Sequence, residues 1–89
     1  MKHLEIVVKG RVQGVNFRRY TLQKALELDL KGFVKNTPEG NVIIHAQGEE
    51  LILNQLLTWC KKGSPLSMVD TIEVIELPVE VFSTFEIRY

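Results

Sequence analysis

The sequence contains one cysteine, Cys60, and no surplus of charge, since eleven Lys and Arg balance eleven Asp and Glu. A lone cysteine excludes a disulfide within the chain and any cysteine-built metal site. A reducing compartment is its simplest setting. Zero net charge argues against a protein that coats nucleic acid or an anionic membrane, while leaving room for a local basic site. No apolar run approaches membrane-spanning length. The first residues, Met1-Lys2-His3-Leu4-Glu5, lack the apolar core of a signal peptide, so a soluble cytoplasmic protein is expected. There is no Ser-His-Asp triad, no carboxylate dyad, no Walker motif, no low-complexity segment and no linker. With 89 residues, 45% of them hydrophobic, the chain is expected to form one small domain over 1–89.

What is present is concentrated near the start, in Gly10-Arg11-Val12-Gln13-Gly14-Val15-Asn16-Phe17-Arg18-Arg19. An apolar strand precedes this stretch and an amphipathic helix follows it. Free N–H groups converge in such a loop and in the first helical turn, and the helix dipole adds partial positive charge. An arginine at the rim supplies a planar fork of donors that matches phosphate oxygens. The stretch therefore reads as a phosphate cradle. Arg18, at the loop–helix junction, is the best-placed side chain; Arg11 begins the loop and Arg19 lies a step into the helix.

The remaining elements follow from periodicity. Leu4, Ile6 and Val8 alternate with Glu5, Val7 and Lys9 as a half-buried strand. From about Arg18 to Leu30 the pattern is helical, with Leu22, Ala25, Leu26 and Leu28 on one broad side and Gln23, Lys24 and Glu27 facing away. Residues 33–36 form a second strand, Thr37-Pro38-Glu39-Gly40 a turn, and residues 41–47 a third strand, together a hairpin. A second helix over 49–62 places Ile52, Leu56, Trp59 and Cys60 on one face, with acidic residues at its start, basic residues at its end and Gly63 as C-cap. Residues 68–77 are strand-like up to Pro78, and residues 85–88 make a short last strand. The order βαββαβ plus a short C-terminal strand predicts an α+β, ferredoxin-like split-βαβ sandwich. Its antiparallel sheet carries two helices on one face, with the first and third strands central. The loop after the first strand should then lie beside Asn36 and Thr37.

Single residues sort by their company. Asn36, a polar amide near the end of a buried strand, can hold a water or cap a turn. His3 and His45 have no acidic or cysteine partner at ligand spacing and read as surface residues. Cys60 reads as core and Thr21 as a satisfied helical hydroxyl. Thr37 and Asp29 belong to no constellation. No metal site and no cofactor are expected.

Gly10–Arg18, G-R-V-Q-G-V-N-F-R, resembles the signature of acylphosphatases, and Gly32–Gly40, G-F-V-K-N-T-P-E-G, resembles that family's second signature. Tyr20-Thr21, Ala25, Gln47-Gly48, Trp59, Gly63, Pro65 and the ending Phe85-x-Ile87-Arg88-Tyr89 match as well. The resemblance covers essentially the whole chain, and the family fold is ferredoxin-like. The sequence departs from the family pattern at Asp29, where glycine is common, at Phe33 for tryptophan, at Ser64 for proline and at Cys60 for leucine. Asn16 fills a variable place.

The resemblance implies a hydrolase that splits acyl phosphates into a carboxylate and inorganic phosphate. Arg18 corresponds to the phosphoryl-binding arginine, with the loop amides of Gln13, Gly14, Val15, Asn16, Phe17 and Arg18. Asn36 corresponds to the asparagine that orients the attacking water. A carboxylate leaves without a general acid, so positioning and charge stabilisation suffice. The implied enzyme is a metal-independent monomer whose partner is a small acyl phosphate, with inorganic phosphate as product and competitive inhibitor, and with no nucleic acid or membrane. The alternative is a non-catalytic ferredoxin-like module binding RNA or a small anion. Readers of that kind stack bases on sheet aromatics, and here only Phe33, with His45 a weak second, lies on the central strands.

Overall fold

The computed structural model describes residues 1–89. The elements are β1 (Lys2–Arg11), α1 (Phe17–Glu27), β2 (Lys31–Asn36), β3 (Val42–Gly48), α2 (Glu50–Lys62), β4 (Met68–Leu77) and β5 (Phe85–Arg88). They form one five-stranded sheet in the order β4-β1-β3-β2-β5, so β1 and β3 are indeed central. The α+β, ferredoxin-like arrangement matches the pattern of the sequence, with one correction. β5 runs parallel to β2, whereas every other pairing is antiparallel, and the sheet is mixed. The cause is the route of residues 78–84, which leave β4 at one edge and cross the end of the sheet to the other. β5 therefore starts at the end where β2 starts, with Gly32 opposite Phe85.

The core lies between the sheet and its two helices. Ile6 and Val8 of β1, Val34 of β2 and Val42, Ile44 and Ala46 of β3 point to it. α1 rests over β2 and β5, and α2 over β4 and β3. In α1 the buried residues are Phe17, Thr21 and Ala25, four apart on one stripe. Leu26, expected on the buried side, is 54% exposed, because α1 ends at Glu27 rather than Leu30 and its stripe is narrow. Phe17 is part of the helix and not of the loop. Its ring is 1% exposed and packs on Trp59 with centroids 5.3 Å apart. Burying a side chain of this size contributes about 1.5–3 kcal/mol. Thr21 is satisfied as expected, its hydroxyl donating to the Phe17 carbonyl at 2.8 Å. In α2 the buried residues are Leu53, Leu56 and Cys60, with Ile52 and Trp59 half-buried at the flanks. Cys60 is a core residue, and burial pushes its thiol up to about 12.

β1 carries a bulge between Lys9 and Gly10 against β4. There Gly10 has φ 134°, and a Cβ would overlap the Met68 carbonyl oxygen. Only glycine lets the strand end so close to β4, and that closeness sets where the following loop emerges.

Candidate functional site

The loop between β1 and α1 opens onto a concavity of about 210 Å³ walled by Gly14, Asn16, Phe17, Arg18 and Asn36, with Val12, Arg19, Ile87 and Tyr89. Two left-handed residues, Gly14 at φ 72° and Asn16 at φ 61°, fold the loop back on itself. Such reversals produce the backbone shape of an anion nest. α1 begins directly after. Its first intrahelical bond runs from the Tyr20 N–H to the Asn16 carbonyl at 3.1 Å, so the amides of Phe17, Arg18 and Arg19 have no acceptor within the helix. The Asn16 side chain does not cap them, and the first turn holds no acidic residue. The positive end of the helix is thus left uncompensated, facing the concavity.

Arg18 forms no ion pair, unlike Arg88, which bonds Glu86. Its guanidinium lies 4.8 Å from the Tyr89 ring centroid and donates a long bond, 3.4 Å, to the Arg88 carbonyl. These contacts orient the fork without neutralising it. Asn36 closes the opposite wall at the end of β2. Its Oδ1 is the one buried side-chain polar atom with no hydrogen-bond partner in the protein. Such an orphan is costly unless something else supplies a donor.

Of the residues assigned to the cradle, Gly14, Asn16, Phe17 and Arg18 share the concavity with Asn36, whereas Gln13 and Val15 are not among its walls. The Val15 side chain enters the core, and its carbonyl accepts from the buried Ser64 hydroxyl at 2.9 Å. The Gln13 side chain spans to the β2–β3 turn, donating from Nε2 to the carbonyls of Thr37 at 2.8 Å and Asn41 at 2.7 Å. The loop therefore does lie beside the Asn36 turn. Arg19 also reaches the rim, fully on the solvent side. Nothing in the local sequence around Ser64 marks a contact 49 residues away.

The two histidines are not surface residues. His3 is fully buried, its Nδ1 2.8 Å from the Pro78 carbonyl and its Nε2 2.8 Å from His45 Nδ1. Residues 78–84 cover it as they cross the helix-free face, where Gln47 clasps the backbone of Glu80 and the Gly32 N–H donates to Thr84. His45 Nε2 lies 3.2 Å from a Glu5 oxygen. Burial, and then His3, hold the His45 imidazole below the ordinary histidine range against the pull of Glu5. No group of three His, Cys, Asp or Glu side chains is arranged to hold a metal ion. Nor is Phe33 open for stacking. His45 stacks on it with centroids 4.5 Å apart, and the Arg88 guanidinium lies 4.0 Å from its centroid. Because the two come from strands on either side of β2, both ring faces are occupied. An RNA-reading sheet face is thus not favoured.

Comparison with known proteins places the sequence and the fold in one family. The family model described as Acylphosphatase matches residues 4–87. The chain is 49% identical to an acylphosphatase of Archaeoglobus fulgidus over 86 residues, 97% of each chain. It is 43% identical to one from Thermotoga maritima over 89 residues, 100% of this chain and 99% of the other. The crystal structure of acylphosphatase from Bacillus subtilis superposes with a TM-score of 0.97 at 41% identity, covering all of both chains. With both signatures, the fold and nearly the full length in agreement, the chain belongs to the acylphosphatase family.

Proposed function

We propose that this acylphosphatase works by holding the phosphoryl group of a small acyl phosphate in the cradle and aiming a water at phosphorus from the Asn36 side. The amides of Gly14, Asn16, Phe17 and Arg18, which wall the concavity, the backbone amides of Gln13 and Val15 beside them, and the Arg18 guanidinium take the phosphoryl oxygens, where charge accumulates in the transition state. Asn36 Oδ1 accepts a hydrogen bond from the water and fixes its line of approach. The water oxygen bonds to phosphorus as the bond from phosphorus to the acyl oxygen breaks. The carboxylate leaves with that electron pair, and the water's protons pass to phosphate oxygens and solvent. No side-chain acid is needed, since a carboxylate is a stable leaving group. Inorganic phosphate competes for the same cradle, and the reaction requires no metal ion or other cofactor. In this reading residues 1–89 act as one domain and a monomer in the cytoplasm, without nucleic acid or membrane.

The observation that carries the reading is Asn36, whose buried Oδ1 has no partner in the protein, lining the same concavity as an Arg18 that forms no ion pair. Hydrolysis of a simple acyl phosphate in ¹⁸O-water with chelator present tests it. Attack at phosphorus places the label in inorganic phosphate. Label in the carboxylate would mean attack at carbon and a different role for Asn36.

A further inference from the structure

We propose that the side chain of Gln13 is a positioning residue, setting the distance between the phosphate cradle and Asn36 and so the alignment of water on phosphorus. The proposal rests on the roles given above to the cradle and Asn36. Gln13 stands within the loop, one residue before the left-handed Gly14. Both N–H bonds of its amide are spent on the turn, at 2.8 Å to the Thr37 carbonyl and 2.7 Å to the Asn41 carbonyl. Thr37 directly follows Asn36 in the chain. No other side chain hydrogen-bonds from this loop to the turn. The turn itself is closed without Gln13: the Thr37 N–H donates to the Asn41 carbonyl at 2.9 Å, the Gly40 N–H to the Thr37 carbonyl at 3.1 Å, and the Asn41 N–H to the Thr37 hydroxyl at 3.1 Å.

Beyond the pairing of β1 with β3, the two units are therefore joined by one two-pronged amide. Its loss should leave the turn and the cradle each formed while freeing one against the other. Phosphate binding uses only the cradle, whereas water alignment uses both, and a misplacement of about 1 Å can cost about a hundredfold in rate. Chemistry also restricts what can replace the side chain. A carboxylate has no donor and would face two carbonyl oxygens, while the protonated acid has a single O–H and can restore one prong.

Gln13→Met keeps the length and removes both donors. It should lower kcat by roughly tenfold or more, as expected of lost alignment, with inhibition by inorganic phosphate nearly unchanged. Placed in an Asn36→Ala background, the same substitution should cost little further, because the alignment it serves is already absent. Gln13→Glu should regain part of its kcat as pH falls through the carboxyl range, relative to the parent enzyme at each pH. All rates are referred to the fraction folded at the assay temperature. Should Gln13→Met leave kcat intact while Asn36→Ala lowers it, the proposal fails and the site assignment stands. Equal losses with and without Asn36, or a loss seen only as weaker phosphate binding, would equally overturn it. An Asn36→Ala enzyme with full kcat would remove the site assignment first and this proposal with it.

Discussion

His3 Nε2 sits 2.8 Å from His45 Nδ1, and this contact ties the first strand to the third on the face without helices. In neutral His3 the Nδ1 facing the Pro78 carbonyl carries the proton, so Nε2 accepts and His45 Nδ1 donates. Neutral His45 then turns a lone pair on Nε2 toward the Glu5 carboxylate, 3.2 Å away. A second proton on His45 would satisfy that contact, but burial and the neighbouring His3 oppose it more strongly than Glu5 and Glu80 favour it.

A pH dependence follows. The folded-state pKa of His45 lies below its ordinary value of 6.5, so between the two the unfolded chain binds more protons. The contribution to stability is complete above pH 6.5 and declines as pH falls from there through the folded pKa. An NMR titration should find His45 with a midpoint below 6.5, and Glu5→Gln should move it lower still. A midpoint at or above the ordinary value would show that the Glu5 pair outweighs burial.

Ser64 braces the loop between β1 and α1. Its buried hydroxyl donates to Val15 at 2.9 Å, and its own carbonyl accepts from the Ser67 hydroxyl at 2.7 Å. Ser64→Ala leaves the Val15 carbonyl without that donor and should cost about 1–3 kcal/mol of stability, the usual penalty for a buried group left unpaired. Denaturant unfolding measures it, and a variant within error of the parent would show that the bond contributes nothing net.

The arginines should separate by position. Arg18→Gln removes charge from the site and should lower kcat/KM by about 10²–10³-fold, the scale of a lost transition-state donor. Arg19→Gln, at the exposed rim, should cost far less because solvent screens it. Arg11→Gln lies at the end of β1, outside the concavity, and should leave turnover as it was. Comparable losses at all three would mean a diffuse basic surface instead of one fork at phosphorus.

Much of this architecture is legible in the sequence. The alternation of Leu4, Ile6 and Val8 marks β1, the Thr37–Gly40 turn marks the hairpin, and Gly63 with Pro65 marks the end of α2. That the β1–α1 loop would lie beside Asn36 is legible because the two signatures are local runs. What escapes is long-range. His3 looks like an exposed position on a half-buried strand, and only the crossing of residues 78–84 buries it. That crossing also explains the parallel β5, since nothing in Pro78–Thr84 says which edge the chain will reach. Phe17 falls before the helical pattern that begins at about Arg18, yet it opens α1 and fills the core beside Trp59. Ser64 stands out in the sequence only as a departure from the family's proline, and its link to Val15 spans 49 residues.

The division of labour between cradle and Asn36 is tested most directly by Asn36→Ala, with kcat, competitive inhibition by inorganic phosphate and thermal midpoint measured on one preparation. Removing the orphan Oδ1 takes away the acceptor that the proposed mechanism uses in the transition state and leaves Arg18 and the loop amides in place. The predicted result is a fall in kcat of about a hundredfold or more, phosphate inhibition close to that of the parent, and a midpoint little changed. A folded variant with unchanged kcat, or one whose whole defect is weaker phosphate binding, would contradict the assignment of Asn36 to the water.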